Sequence, residues 1–251
     1  MTERDVKSAR RTLEVLEHFA ATHRPATVGE IARTLGFPQS STSMLLGELT
    51  RLGYLEQNAV RQFRPTLRVL LLGGWMQDRL LGEGSLLRRL EGLRTRHQAT
   101  VLVGMQAGAR VRYILTLRRP QADPTMRAGM MRHIGRAAVG KALLMGCPDA
   151  EAMRLLRRAN AEQPAMRVEV AALMEDLRQS RNLGWTESRG AVVQGQNVIA
   201  APLPPIPDHP PLAVGLGMRV EDSDRRRDSL VQALRHLRAA LEREVRAPAV
   251  R

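Results

Sequence analysis

Apolar residues return at helical spacing through the first fifth of the chain, separated by short polar breaks. From Ser8 to Ala21 the inward set is Leu13, Leu16 and Ala20, which predicts a helix capped at Ser8. Ile31 and Leu35 mark the inner side of a short second helix. Thr27 and Glu30 have the spacing of a capping box at its start, hydroxyl to N3 amide and carboxylate back to the cap. Gly36 is the left-handed stop, and Pro38 stands where the next helix takes its first turn. That third helix, about Gln39 to Leu52, turns Leu45, Leu49 and Leu52 inward. Its other side carries Gln39, Ser40, Ser43, Gly47 and Arg51. Tyr54-Leu55, a polar Gln57-Asn58 turn and Arg61-Gln62-Phe63-Arg64 then read as a hairpin with a basic tip.

Downstream the period changes more than once. Thr66 to Leu80, with Leu67, Leu70, Leu71 and Trp75 apolar, reads as a linker helix broken or closely packed at Gly73-Gly74. Glu83 to His97 presents Leu86, Leu87, Leu90 and Leu93. Thr100 to Gln106 and Val111 to Leu117 are β-branched runs joined by a tight turn, an antiparallel hairpin. Helices follow over Ala137 to Met145, Ala150 to Ala159 and Val168 to Arg181. Asn197 to Ala201 is a buried strand, Leu212 to Val220 the last one, and Asp222-Ser223 cap a final helix. Runs of this kind predict an α+β fold in which helices pack on an antiparallel sheet. The chain divides into a winged helix-turn-helix over 1–65, a linker helix over 66–80 and a second domain over 81–251.

A polar, small-residue face on the second helix of a tight helix pair is what the major groove admits. An ordinary αα-hairpin with a solvated face has the same spacing, so the basic hairpin and the preceding helix are what favour DNA. Gln39 can pair with adenine, and Ser40, Ser41 and Ser43 reach bases or phosphate. Gly47 permits close approach, and Met44 lies on the same surface. Arg61 and Arg64 on the wing suit the phosphate backbone. Arg10 and Arg11 oppose the macrodipole of the first helix, and phosphate contact is the natural use for them.

Composition changes this picture little. The net charge is +14, yet 11 basic and 8 acidic residues precede Leu81, against 28 and 17 from there on. The excess therefore sits mostly outside the winged helix. It favours an acidic small molecule in the second domain or long-range attraction to DNA. Cys147 is the single cysteine, which excludes an internal disulfide and fits a reducing cytoplasm. No stretch has the length and apolarity of a bilayer span, and the N-terminal MTERDVKSARR, Met1 to Arg11, has no signal-peptide core. No metal ligand pair, cofactor motif or catalytic constellation stands out. Gly140-Lys141 lacks the rest of a P-loop.

Three blocks resemble the IclR family of bacterial transcriptional regulators. They are SARRTLEVLEHFA with EIARTLGFPQSSTSMLLGELTRLGYL and the later LLLGG, AGMMRHIGRAAVGKALL, and GQNVIAAPL. The resemblance implies a winged helix-turn-helix followed by a GAF-like effector domain, with the linker helix aiding dimerisation. It implies a homodimer or homotetramer on a double-stranded DNA operator. The chain departs from the family pattern at His133, Ile134 and Gly135, where proline, leucine and histidine are usual. It departs also at Ala191 for glutamate, Asn197 for cysteine and Met44 for arginine.

The effector expected is a small organic or aromatic acid. Val103 and Met105 alternate onto one strand face, so its pocket is expected near Val103, Met105, Tyr113 and Asn197. Gly135 and Ala137 are expected to offer N–H groups to its carboxylate. The function expected is a ligand-responsive regulator that binds a palindromic operator. The alternative is a small-molecule sensor or enzyme whose winged helix contacts protein.

Overall fold

The computed structural model describes residues 7–72, 86–119, 122–123, 126–206 and 209–246. By contact density the chain forms two units, Met1–Gly82 and Glu83–Arg251.

In the first unit, helices α1 (Lys7–Thr22), α2 (Val28–Leu35) and α3 (Gln39–Arg51) precede a hairpin of β1 (Leu55–Gln57) and β2 (Phe63–Pro65). The capping box forms in full: Glu30 N donates to Thr27 Oγ1 at 3.3 Å, and Thr27 N donates to Glu30 Oε2 at 2.8 Å. Gly36 closes α2 at φ 69°. The core joins Val15 and Phe19 of α1 to Ile31, Leu46, Leu49, Leu55 and Phe63.

Two phases differ from the sequence expectation. In α1 Val15, His18 and Phe19 are buried, whereas Leu13 is 61% exposed and Ala20 is exposed. Apolar residues there occupy several phases, and packing on α2 selects the arc. In α3 Thr42, Leu46 and Leu49 face inward, while Leu52, past the last helical residue, is exposed. Ser8 lies within α1, and Thr12 Oγ1 donates to its carbonyl, so it does not cap the helix. A further helix, α4 (Leu67–Leu71), starts from Thr66, whose Oγ1 accepts from Arg68 N at 3.2 Å. The rest of the expected linker helix, Trp75 included, lies outside the described residues.

The second unit is built on one antiparallel six-stranded sheet of order β5-β4-β3-β8-β7-β6. Its strands are β3 (Thr100–Ala107), β4 (Arg110–Leu117), β5 (Met131–His133), β6 (Thr186–Arg189), β7 (Gln196–Pro202) and β8 (Leu212–Arg219). Helices cover both faces. On one side α6 (Ala138–Met145), α7 (Asp149–Glu162) and α8 (Val170–Leu183) pack on Leu102, Val111, Tyr113, Val198 and Ala213. On the other, α5 (Leu86–His97) and α9 (Val220–Arg246) pack on Val101, Val103, Ile199, Val214 and Leu216.

The β3–β4 hairpin and the strands β7 and β8 agree with the sequence reading, and the pairing of β7 with β8 and the short edge strands β5 and β6 are additions to it. Three and four residues carry too little alternation to signal a strand. Ser223 was expected to cap the last helix. It lies inside α9, buried, and accepts from Asn197 Nδ2 at 2.9 Å.

Candidate functional site

The first unit contains a cleft bounded by the start of α2, the polar side of α3 and the wing. Gly29, Gln39, Ser43, Gly47, Thr50 and Arg61 line it, with Thr27 and Phe63 at its edge. Its shape follows from backbone pairing. Ala26 N donates to Phe63 O at 3.1 Å and Phe63 N donates back at 2.8 Å, so the residue before the capping box is bonded to the wing. That bridge sets the start of α2 beside the hairpin. The wing turn is closed by Asn58, whose Oδ1 accepts from Val60 N at 3.1 Å and Gln62 N at 2.8 Å. Arg61 adopts φ 59° in this turn, which aims it at the cleft.

The expected DNA-binding residues are therefore only partly alike in surroundings. Gln39, Ser40, Ser43, Met44 and Gly47 are exposed on one surface of α3. Ser41 is half-buried and donates to Pro38 O at 3.0 Å. Thr27 is committed to the capping box, and the Glu30 carboxylate is held down to about 2, first by the Thr27 N–H and then by Arg24. Arg11 stacks on the Phe37 ring at 4.9 Å and donates to Ser41 Oγ at 3.5 Å, tying α1 to the first turn of α3. Arg10 pairs with Glu14 at 3.5 Å, and Arg64 pairs with Glu56 across the hairpin. Gly29 and Thr50 escaped the sequence reading. Only the fold brings α2 and α3 to one cleft.

In the second unit a small cavity of about 10 Å³ lies on the α6 face of the sheet. Tyr113, Met126, Arg132, Ser188, Gln196 and Val198 line it, with Ala137 and the Val192-Val193 pair. Burial pushes the Tyr113 hydroxyl up to about 12. Ser188 Oγ donates to Arg136 O at 2.6 Å, joining β6 to the turn before α6.

Of the expected effector contacts, Tyr113 and Ala137 are at this cavity. Val103 and Met105 share a face as expected, but it is the opposite one, packed towards α5 and α9. Asn197 also points away: its Nδ2 donates to Ser223 Oγ of α9. β3 is covered on both sides, so apolar alternation carried no information about which side holds the cavity. The expected anion seat is likewise altered. Gly135 N donates to His133 Nδ1 at 3.1 Å and Ala137 N donates to His133 O at 3.2 Å, so both N–H groups are already used. A Cβ on Gly135 would meet Leu156 and Leu173, so this residue packs against α7 and α8. His133 is buried and its imidazole is held below its ordinary value, chiefly by burial. Gln196 and Ser188 were missed, being one residue out of phase with Asn197 and on an edge strand respectively.

Among the described residues no group of three or more His, Cys, Asp or Glu side chains could hold a metal ion. None of the described helices is long and apolar enough to cross a membrane.

A winged helix-turn-helix followed by a helix-covered antiparallel sheet defines a DNA-binding regulator with an effector domain. The IclR helix-turn-helix domain matches residues 8–59, and the C-terminal domain of bacterial IclR transcriptional regulators matches residues 85–243. The chain belongs to the IclR family. It is a transcription regulator, not an enzyme. It is 23% identical over 216 residues to the HTH-type transcriptional repressor AllR of Escherichia coli, covering 80% of this chain and 76% of the repressor. The Thermotoga maritima IclR structure superposes with a TM-score of 0.64 at 17% identity, over 95% of this chain and 98% of that one. An IclR homologue from Microbacterium hydrocarbonoxydans, complexed with 4-hydroxybenzoate, gives 0.60 at 17% identity, over 95% and 99%. At these identities the likeness to the solved structures shows the fold.

Proposed function

We propose that the protein is a ligand-responsive, sequence-specific regulator acting as a dimer or tetramer on a near-palindromic operator. The cleft shared by α2, α3 and the wing carries this reading, because it places a polar helix face beside a cationic side chain. Two reading helices in successive major grooves require half-sites about one helical turn apart, or a multiple of it. Gln39 pairs with adenine, Ser40 and Ser43 contact bases or phosphate, and Arg61 and Arg64 hold the backbone. Arg11, stacked on Phe37, orients the first turn of α3 and contributes to DNA binding through that turn. The segment 66–80 joins the reading domain to the effector domain.

The test separates helix from wing. Gln39→Ala should relax preference at one base position by about 1–3 kcal/mol. Arg61→Ala should weaken all sequences alike and lower the salt slope by about 1. Equal, sequence-independent losses from both variants would remove Gln39 from the reading face. Light scattering at micromolar protein should give at least a dimer, and a monomer with and without DNA would refute the assembly.

The effector we propose is a small organic acid with an apolar body, held on the α6 face near Tyr113 and Arg132. The 4-hydroxybenzoate bound by the Microbacterium homologue supports an aromatic acid. A cavity of about 10 Å³ accepts one water at most, so the acid enters by displacing Val192 and Val193. These sit between Gly190 and Gly195, both at positive φ (66° and 72°), where the backbone bends without a Cβ penalty. Thermal-shift series of matched acids and amides, in the wild type and in Arg132→Gln, test the site. Neutral amides that stabilise as well as acids would refute it, as would acid binding unchanged by the substitution.

A further inference from the structure

The reading helix carries one large apolar side chain that the protein interior does not use. Leu45, Leu46 and Leu49 of α3 belong to the core of the domain or pack against it. Met44 is 71% exposed and takes no part in that core. Helical spacing places it between Ser40, four residues before, and Gly47, three residues after. Both neighbours are small, so the thioether stands clear of them on this surface. A Cβ at Gly47 would meet nothing within 4 Å, which leaves open space beside Met44.

The hydrogen-bonding chemistry of this helix is limited in a complementary way. Arg51 is its only cation, and its Nε and Nη2 donate to Glu48 at 2.9 and 2.5 Å. The one guanidinium of α3 thus sits at its last residue, a turn beyond Gly47, in an exposed pair with Glu48. A methionine side chain offers little to the polar edges of bases. The one apolar group that base edges show in the major groove is the C5-methyl of thymine.

We infer that Met44 is a specificity determinant that reads a thymine methyl in each half-site. The inference rests on α3 being the reading helix. With Gln39 directed at adenine, it makes the bases under α3 a set of A·T pairs. Loss of the polarisable thioether leaves that methyl in water, and the contact is worth about as much as one buried methylene.

The experiment uses the full chain and duplexes selected from random sequence. In the selected site each thymine is then replaced singly by uracil, which lacks only the methyl. Wild-type protein should lose roughly fourfold in affinity at one thymine per half-site. Met44→Ala should bind thymine and uracil equally there, and Met44→Leu should keep the discrimination. A wild type indifferent to every uracil overturns the inference, and so does a Met44→Ala variant that still discriminates. If selection enriches no motif, the reading of α3 as the recognition helix falls too. An enriched motif without methyl sensitivity removes Met44 alone.

Discussion

The glycines of the candidate DNA cleft and those under the effector-domain helix α6 stand in opposite surroundings. At Gly29 and Gly47, both lining the candidate DNA-binding cleft, an added Cβ would meet nothing within 4 Å. Gly47 sits inside α3 with an ordinary helical backbone, where glycine costs about 1 kcal/mol relative to alanine. Neither backbone nor interior calls for it. In the effector domain a Cβ on Gly140 would run into the backbone carbonyl of Ile134. One on Gly215 would lie 2.8 Å from Val198 and 2.9 Å from Val139. There the close approach of α6 to the turn before it, and to the sheet at Gly215, excludes a side chain. Gly29 and Gly47 leave open space beside the candidate cleft, whereas Gly140 and Gly215 mark packing. The same contrast runs through the polar groups. Gln39, Ser40 and Ser43 stand exposed, while the N–H groups of Gly135 and Ala137 are bonded to His133.

The largest test of the contrast is Gly140→Ala. The Cβ has backbone in its way, so α6 must move, and the effector domain should lose about 3 kcal/mol, the upper range for overpacking. Denaturant titration of the full chain reads this, and a loss under about 0.5 kcal/mol would show that the helix is not close-packed there.

Thr27→Ala comes next. It removes one half of the capping box and should cost the DNA-binding domain about 1 kcal/mol. Hydrogen exchange should show faster opening of α2 with the effector domain unaffected. The Glu30 half is expected to fail in acid. Its folded value, about 2, lies below its ordinary 4.5, so its contribution is complete above 4.5 and is lost as pH falls towards 2.

Gly47→Ala should move in the opposite sense to Gly140→Ala. Stability should rise by about 0.5–1 kcal/mol while affinity for DNA falls, because the new methyl occupies the approach surface. A rise in stability with unchanged DNA binding would break the comparison.

The smallest effect concerns two buried histidines, His18 in the first unit and His133 in the second. Burial is the leading cause that lowers both imidazoles from 6.5. The unfolded chain therefore takes up protons first. Their contribution is complete above about 6.5 and is lost as pH falls through the folded values. His133→Gln should flatten this dependence in the effector domain alone, as read by hydrogen exchange between pH 7.5 and 5.

Features built from neighbours in sequence were legible from the residues. The Thr27–Glu30 box, the Gly36 stop, the β3–β4 hairpin and the strands β7 and β8 depend on atoms a few residues apart or on long apolar runs. The blocks from EIARTLGF to GQNVIAAPL were long enough to reveal the family. The candidate DNA surface was readable for the same reason: one helix face is a local property once the helix is known.

Phase was another matter. α1 has apolar residues at 13, 15, 16, 19 and 20, which span more than one face, and contact with α2 and the wing settled on Val15 and Phe19. In β3 the residues from Thr100 to Val103 are all buried, so alternation said that Val103 and Met105 share a side without saying which. Register with β8, and the helices seated on each face, placed them on the side of α5 and α9 and left the cavity to Tyr113, Gln196 and Val198. Sequence alone determined the longer elements, the Thr27–Glu30 cap with the Gly36 stop, and the family, because those follow from short-range geometry and composition. The tertiary structure alone decided which arc and which sheet face each side chain occupies, because a two-sided core makes both choices equally apolar until the partners arrive.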